Sequence, residues 1–331
     1  MSRELAGSAL LAFVLTLVLI PPLLRLLARL GSVDIPNHRS SHVGTVLRGA
    51  GLAIGLGFTV ALVLRHDAGP LRIPIAIIAL LMTCLGFTDD LRDLPVRVRL
   101  AVLLIAGGFL GFAISPILHP VVSCALSALW IASTVNAYNF MDGINGNSAL
   151  TAIVAGVCFV VLGLEITLPL LSGIGACVFG AAAAFLPFNA PHARAFMGDA
   201  GSYGLGFITG AASWIAWANG VPLWVALAPL SIYLIDTAST LALRALRREP
   251  LSSAHRDHVY QRLVQSGWGH VQASMLVVAG SAIVFAITYA SWQAGSPVLG
   301  MSAWLGATLA YGFATRVLIT KRLSSSQTPE R

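Results

Sequence analysis

Charged side chains are scarce in this sequence. Aspartate and glutamate number 13 and lysine and arginine 20 among 331 residues, 10% of the chain, whereas soluble domains carry about 25%. That shortage excludes an ordinary soluble globular protein. Also missing are a polar stretch long enough for a separate soluble domain and any internal repeat, which excludes solenoid and array architectures. Cysteine is limited to Cys84, Cys124, Cys158 and Cys177. All four fall in apolar segments without metal-type spacing, so packing is their expected role and no disulfide framework is implied. What the chain has instead is apolar bulk: 57% hydrophobic residues and a mean hydropathy of +0.83.

A bilayer span takes about 20 mostly apolar residues. Eleven such stretches can be drawn, near 5–28, 49–64, 71–88, 99–117, 120–138, 148–164, 168–187, 201–218, 221–243, 271–292 and 297–319. The predicted fold is all-α: a polytopic integral membrane protein of eleven transmembrane helices, with ten as the alternative count. Residues 1–323 are expected to form a single transmembrane catalytic domain, followed by a disordered cytoplasmic tail at 324–331. The first apolar run has no convincing cleavage site and reads as a retained helix rather than a signal peptide. Cytoplasmic loops concentrate lysine and arginine. With the N-terminus outside, 17 of the 20 basic residues fall on the inner side, leaving only Arg3, Arg65 and Arg72 on the outer side. The asymmetry calls for an odd number of spans and a cytoplasmic C-terminus. Topology thus accounts for the net charge of +7, with attraction to anionic membrane lipid as an additional effect, and no nucleic-acid partner is required.

Where acids are so few, their grouping is informative. Asp89 and Asp90 stand side by side at the inner end of an apolar run, Ile73 to Phe87. Each disfavours ionisation of the other and burial disfavours both, so a metal ion, an arginine or open water must offset the repulsion. Outer loops are short and bland, while the acids, amides and histidines with catalytic potential collect in the inner loops. The first inner loop, with Arg39, His42 and Arg48 followed by Gly49 and Gly51, could meet an anionic ligand, although a positive-inside loop with a proline turn accounts for it as well. The third carries Asn136, Asn139 and Asp142 at three-residue spacing, on a broad shared helix face. Carboxylate and amide oxygens suit Mg²⁺, and amides can also read a base or a sugar. Asp142-Gly143 and Asn145-Gly146 are also ordinary turn dipeptides.

In the fourth inner loop, Phe196-Met197-Gly198-Asp199-Ala200-Gly201-Ser202 places an acid beside residues capable of tight backbone geometry. An ion or phosphate could approach main-chain N–H groups there, or Asp199 could serve as a helix cap. Phe196 could stack on a base or sit at the membrane edge. The fifth loop contains His255-Arg256-Asp257-His258-Val259-Tyr260-Gln261-Arg262. A helix starting after Ser252 and Ser253 would bring His255, His258 and Arg262 to one face as a cationic clamp suited to a diphosphate. An amphipathic surface helix is the alternative. Asp236, in the ninth span, is a functional candidate as an intramembrane acid, with a structural hydrogen bond to a neighbouring helix equally open.

Phe87-Thr88-Asp89-Asp90, Asn136-x-x-Asn139-x-x-Asp142-Gly143, Phe196-Met197-Gly198-Asp199-x-Gly201-Ser202 and the histidine-bearing last loop together resemble the bacterial polyprenyl-phosphate N-acetylhexosamine-1-phosphate transferases. That superfamily also contains phospho-N-acetylmuramoyl-pentapeptide transferase. The resemblance runs from Asp34 to Arg262, and His255-Arg256-x-His258-x-Tyr260-Gln261 is most similar to the branch that starts O-antigen or related surface glycans. It implies transfer of a sugar 1-phosphate from a UDP-N-acetylhexosamine to undecaprenyl phosphate, with release of UMP, at the cytoplasmic face of the bacterial inner membrane. Mg²⁺, or Mn²⁺ in its place, is the implied cofactor, and a homodimer is a compatible assembly. By resemblance Asp199 is the metal ligand with Asn139 as a second contact, and Asp89 activates the lipid phosphate with Asp90 in support. His255, His258 and Arg262 clamp the diphosphate, while Arg48, Asn136, Asp142, Gly143, Asn145 and Phe196 surround the nucleotide.

Two positions depart from the family pattern: Asn145, where aspartate is frequent, and Asn147-Ser148, where small apolar residues are common. Asn145 carries no negative charge but can hydrogen-bond uracil. The rival from another class is an ion-coupled secondary transporter using Asp89, Asp90, Asp142 and Asp236. Transporter sites usually lie near the bilayer midplane on broken helices.

Overall fold

The computed structural model of the protein describes residues 2–34, 44–115, 119–250 and 256–325. It is all-α apart from three very short strands. The helices are α1 Ser2–Leu30, α2 Leu52–Val63, α3 Arg72–Arg92, α4 Val96–Ala113, α5 Pro120–Met141, α6 Asn147–Glu165, α7 Pro169–Asn189 and α8 Gly198–Ala218. They continue as α9 Leu223–Leu227, α10 Ser231–Leu246, α11 Val259–Gln265, α12 His270–Gln293 and α13 Pro297–Ser325. Among the described residues eight spans are long and apolar enough to cross a membrane, α9 and α10 together counting as one. The chain is a multi-pass membrane protein.

Each of the eleven expected stretches has its helix, and the departures have local causes. The ninth is broken, because Pro229 has no N–H to give and a 3₁₀ turn at Ala228–Leu230 separates α9 from α10. Proline does not break α1, where Pro21 and Pro22 lie within a continuous helix, as membrane helices often allow. α2 has only 12 residues. α8 is long enough but not among the eight, since Gly198, Gly201, Gly204, Gly206 and Gly210 dilute its apolar character. Nearly all of α8 is buried. A helix surrounded by other helices needs small faces for close packing more than it needs lipid-facing bulk.

That closeness sets the register between α3 and α8. A side chain at Gly86 would fall on the carbonyl of Asp199 and the nitrogen of Ala200, both backbone atoms that cannot rotate away. Gly86→Ala is therefore expected to destabilise the protein by about 1–3 kcal/mol and to depress activity by pushing Asp199 off its seat. A melting temperature in detergent equal to wild type would contradict backbone contact at this point.

The strands were not foreseen. β1 Val33–Asp34 pairs antiparallel with β2 Val46–Arg48, which pairs parallel with β3 Ala195–Phe196, Leu47 opposite Ala195 and Arg48 opposite Phe196. This small sheet clips the segment between α1 and α2 to the segment between α7 and α8. The bonds continue beyond it, from Ala50 N to Phe196 O at 3.1 Å and from Gly51 N to Met197 O at 2.9 Å. Arg39, His42, Ser252, Ser253 and His255 lie outside the described residues, as do residues 326–331 of the expected tail.

Candidate active site

Four chain segments distant in sequence meet at one end of the bundle. β2 supplies Arg48, α3 supplies Asp89 and Asp90, α5 supplies Asn139 and α8 supplies Asp199. Arg48 Nε lies 2.7 Å from Asp90 Oδ1 and its Nη2 lies 2.9 Å from Asp199 Oδ1. Asn139 Nδ2 donates to the same Asp199 oxygen at 2.8 Å and to Ser202 Oγ at 3.2 Å. Burial opposes the charge on Arg48, and Asp199 and Asp90 more than offset it, holding its pKa above the ordinary arginine value. The adjacent carboxylates Asp89 and Asp90 each meet an arginine of their own, Arg99 and Arg48.

Asp90 and Asp89 have different surroundings. Asp90, with no exposed side-chain surface, accepts the backbone N–H of Asp199 at 2.9 Å and of Ala200 at 3.0 Å. It fills the role of an N-terminal cap for α8 from a different helix, satisfying donors that every helix start leaves open. Gly198, at φ +68, makes this approach feasible, since a Cβ there would collide with the Asp90 carboxylate. Asp89 turns the other way. Arg99 Nη1 is 2.6 Å from Asp89 Oδ2, Tyr203 OH donates to that oxygen at 2.8 Å, and Leu94 N donates to Oδ1 at 2.7 Å.

Arg99 and Tyr203 were absent from the expected site. In the sequence Arg99 reads only as an inner-side charge, although it lies ten residues beyond Asp89 across the Pro95 turn. Tyr203 follows Asp199 by four residues, the spacing that puts two side chains on one helix face.

Asp142 lies at the C-terminal end of α5, with some solvent access but protein on most sides. Those surroundings push its pKa up to about 8, against a lowering hydrogen bond from Ser148 and with nearby Asp199 adding to the rise. At pH 7 the carboxyl is mostly protonated. In the unfolded chain it returns to the ordinary carboxylate range, so its stabilising contribution is fully present below that range and is lost as pH rises to about 8. Asp142→Asn is expected to flatten the dependence of melting temperature on pH between about 5 and about 8. A slope unchanged from wild type would mean that Asp142 is already ionised.

Other expected residues are placed differently. Asn136 is exposed and its amide donates to the Ala132 carbonyl of its own helix at 2.7 Å. Asn145 is a tie within the scaffold: its Nδ2 donates to Pro191 O at 3.0 Å, and its backbone carbonyl accepts from the Ser274 hydroxyl at 3.1 Å. Gly143 abuts the Tyr260 hydroxyl and the Gln261 amide, so a side chain there would strike α11. Phe196, half-buried, stands beside Arg48 in the sheet.

The fifth loop corrects one expectation. The described helix begins at Val259, and His258 precedes it as the N-terminal flanking residue, so His258 and Arg262 do not share a helix face. His258 is buried, its Nδ1 3.2 Å from Asp236 Oδ1. Arg262 is exposed, while Tyr260 and Leu263 carry the buried side of α11.

A polytopic helical bundle with carboxylates, an amide and arginines converging at one end defines a membrane-embedded protein with a polar site at the bundle rim. The sequence profile of glycosyl transferase family 4 matches residues 73–216, the segment that contributes both aspartates of α3, Asn139 and Asp199. Over that segment the chain is similar to this family. It is 27% identical over 297 residues to a probable undecaprenyl-phosphate N-acetylglucosaminyl 1-phosphate transferase of Bacillus subtilis, covering 85% of this chain and 83% of that protein. It is 27% identical over 365 residues to a decaprenyl-phosphate N-acetylglucosaminephosphotransferase of Mycobacterium tuberculosis, covering 97% and 90%. An undecaprenyl-phosphate alpha-N-acetylglucosaminyl 1-phosphate transferase of Yersinia pestis is 27% identical over 289 residues, covering 77% and 76%. Neither these relatives nor the gathering of acids at one end supports a secondary transporter.

Proposed function

We propose that this protein transfers an N-acetylhexosamine 1-phosphate from a UDP-sugar to undecaprenyl phosphate, releasing UMP, at the cytoplasmic face of a bacterial inner membrane. The lipid-linked product would start an O-antigen or a related cell-surface glycan. The observation that carries this reading is the junction of Arg48, Asp90, Asp199 and Asn139 at one bundle end, in a chain whose relatives are named for such transfers.

The chemistry is displacement at phosphorus. An oxygen of the lipid phosphate bonds to the phosphorus that bears the sugar, and the bond from that phosphorus to the bridging oxygen breaks, so UMP departs with the bridging oxygen. Such transfers depend on positioning and charge neutralisation. Asp199 is the partly accessible carboxylate of the trio, at 15% side-chain exposure against 0% for Asp90 and 2% for Asp89. With Asn139 beside it, whose amide can be turned to present oxygen, it fits the few protein donors that Mg²⁺ takes when phosphate oxygens and water complete its shell. Bound there, the ion would neutralise diphosphate charge.

Arg48 would face the departing phosphate and Arg99 the incoming one. As Arg99 moves from Asp89 to the lipid phosphate, the Asp89 carboxylate becomes available to take the acceptor's proton. Asp142, protonated at neutral pH, can donate to a uracil carbonyl with Phe196 alongside. His258 and Arg262 bring the last loop to the donor.

The test is UMP release by purified protein in detergent or by membranes containing it. Release is expected only when a UDP-N-acetylhexosamine and undecaprenyl phosphate are supplied together, and chelation by EDTA should stop it until Mg²⁺ is restored. Inactivity toward UDP-linked GlcNAc, GalNAc, FucNAc and QuiNAc alike would overturn the assignment.

A further inference from the structure

Asp236 is a buried acid in the ninth span, outside the cluster just described. Its carboxylate meets groups from the fifth loop and one from its own helix. Oδ1 lies 3.2 Å from His258 Nδ1 and accepts Val259 N at 3.0 Å and the Thr240 hydroxyl at 3.3 Å, while Oδ2 accepts Tyr260 N at 3.3 Å. Two consecutive backbone N–H groups at the start of a helix are thereby satisfied by one side chain from another helix, the same device by which Asp90 holds the start of α8. The ten residues from Asp236 to the end of α10 rise about 15 Å, so the chain after α10 must fold back along it to reach this acid. Arg244 fastens the return, with Nη1 2.6 Å from Asp257 Oδ2 and Nη2 donating to Pro250 O at 2.9 Å.

The folded-back segment reaches the catalytic end of the bundle. The Tyr260 hydroxyl donates to Phe140 O at 2.8 Å, between Asn139 and Asp142 in the chain. The His258 ring stacks with those of Phe140 and Tyr260, with centroids 5.8 Å and 6.0 Å away.

We infer that Asp236 is a positioning residue: it docks the start of α11 and fixes the orientation of His258, so that the last loop is presented to the donor in one arrangement. The kinetic part of this inference rests on the proposed transfer reaction. The docking part does not.

Asp236→Asn keeps the volume and removes the charge, and Asp236→Glu keeps the charge. In the full-length protein in detergent, Asp236→Asn is expected to speed hydrogen exchange at the Val259 and Tyr260 amides by on the order of tenfold or more, with amides of α5 and α8 unchanged. It should lower kcat by on the order of 10- to 100-fold, as loss of an orienting partner does elsewhere. Asp236→Glu should recover part of that loss. In a His258→Gln background the same change should cost less than about threefold, because the two residues act as one unit.

Unchanged exchange at Val259 and Tyr260 would overturn the docking role whatever the activity. Rate losses that multiply in the double variant would overturn the role through His258. If Asp236→Asn speeds exchange as expected yet the wild-type protein releases no UMP, the transfer reaction fails while the docking stands.

Discussion

Asp199→Asn is expected to slow UMP release by about 10³-fold while leaving the protein folded and inserted. Asp199 Oδ1 is the point where two donors from different segments converge, Arg48 Nη2 at 2.9 Å and Asn139 Nδ2 at 2.8 Å. An asparagine of the same shape offers a single neutral oxygen, and its amide hydrogens have no place beside Arg48. It also loses the negative charge that a divalent ion requires of its protein ligand. Stability should move little. Asp199 sits among like charges, Arg48 keeps its 2.7 Å contact with Asp90, and removing one of the gathered carboxylates relieves repulsion. Turnover and thermal unfolding therefore separate, with turnover nearly abolished at a melting temperature close to wild type. A variant within tenfold of the wild-type rate would remove Asp199 from the centre of the site, even with the family resemblance intact.

How far the sequence could lead to this arrangement depended on the kind of signal each residue leaves. Apolar length gave the helices, because a bilayer imposes about 20 residues on any span, and all eleven stretches contain one. α8 is informative here: its glycines weaken its hydropathy yet permit the backbone contacts that bury it. Asp89, Asp90, Asn139 and Asp199 stood out because polar groups at the mouths of apolar runs are costly and few. The short strands left no periodic signal, since two or three residues are too few to alternate, and so the seating of Arg48 beside Phe196 could not be read.

Partner choice was equally hidden. Arg99 looked like one topological charge among 17 inner ones until its guanidinium was found 2.6 Å from Asp89. The fifth loop misled for a related reason. Helical spacing suggested a shared face for His258 and Arg262, but a carboxylate 22 residues upstream binds the amides of Val259 and Tyr260 and fixes the helix start after His258.

The two neighbouring aspartates of α3 should respond differently to the same change. Asp90→Asn is expected to destabilise the protein by about 2–3 kcal/mol, lowering its melting temperature in detergent by several degrees. Asp89→Asn should cost only about 1 kcal/mol and yet slow turnover by on the order of 10²- to 10⁴-fold, the range of a lost proton acceptor. The difference lies in what each carboxylate holds. Both oxygens of Asp90 accept backbone N–H groups at the start of α8, and Oδ1 also meets Arg48. Whichever way an asparagine is turned, its NH₂ faces a fixed donor in a fully buried place. Asp89 holds one backbone amide, Leu94 N, on Oδ1. Its other oxygen meets the ends of Arg99 and Tyr203. Arg99 has 28% of its side chain exposed and can swing to water, and a tyrosine hydroxyl can turn to accept from the new NH₂. Asparagine at 89 thus keeps most of the packing and loses the capacity to take a proton. Equal melting temperatures for the two variants would contradict Asp90 as the support of α8. A stable, active Asp89→Asn protein would pass the task of activating the acceptor to another group and leave Arg99 as the feature of this corner that bears on the lipid phosphate.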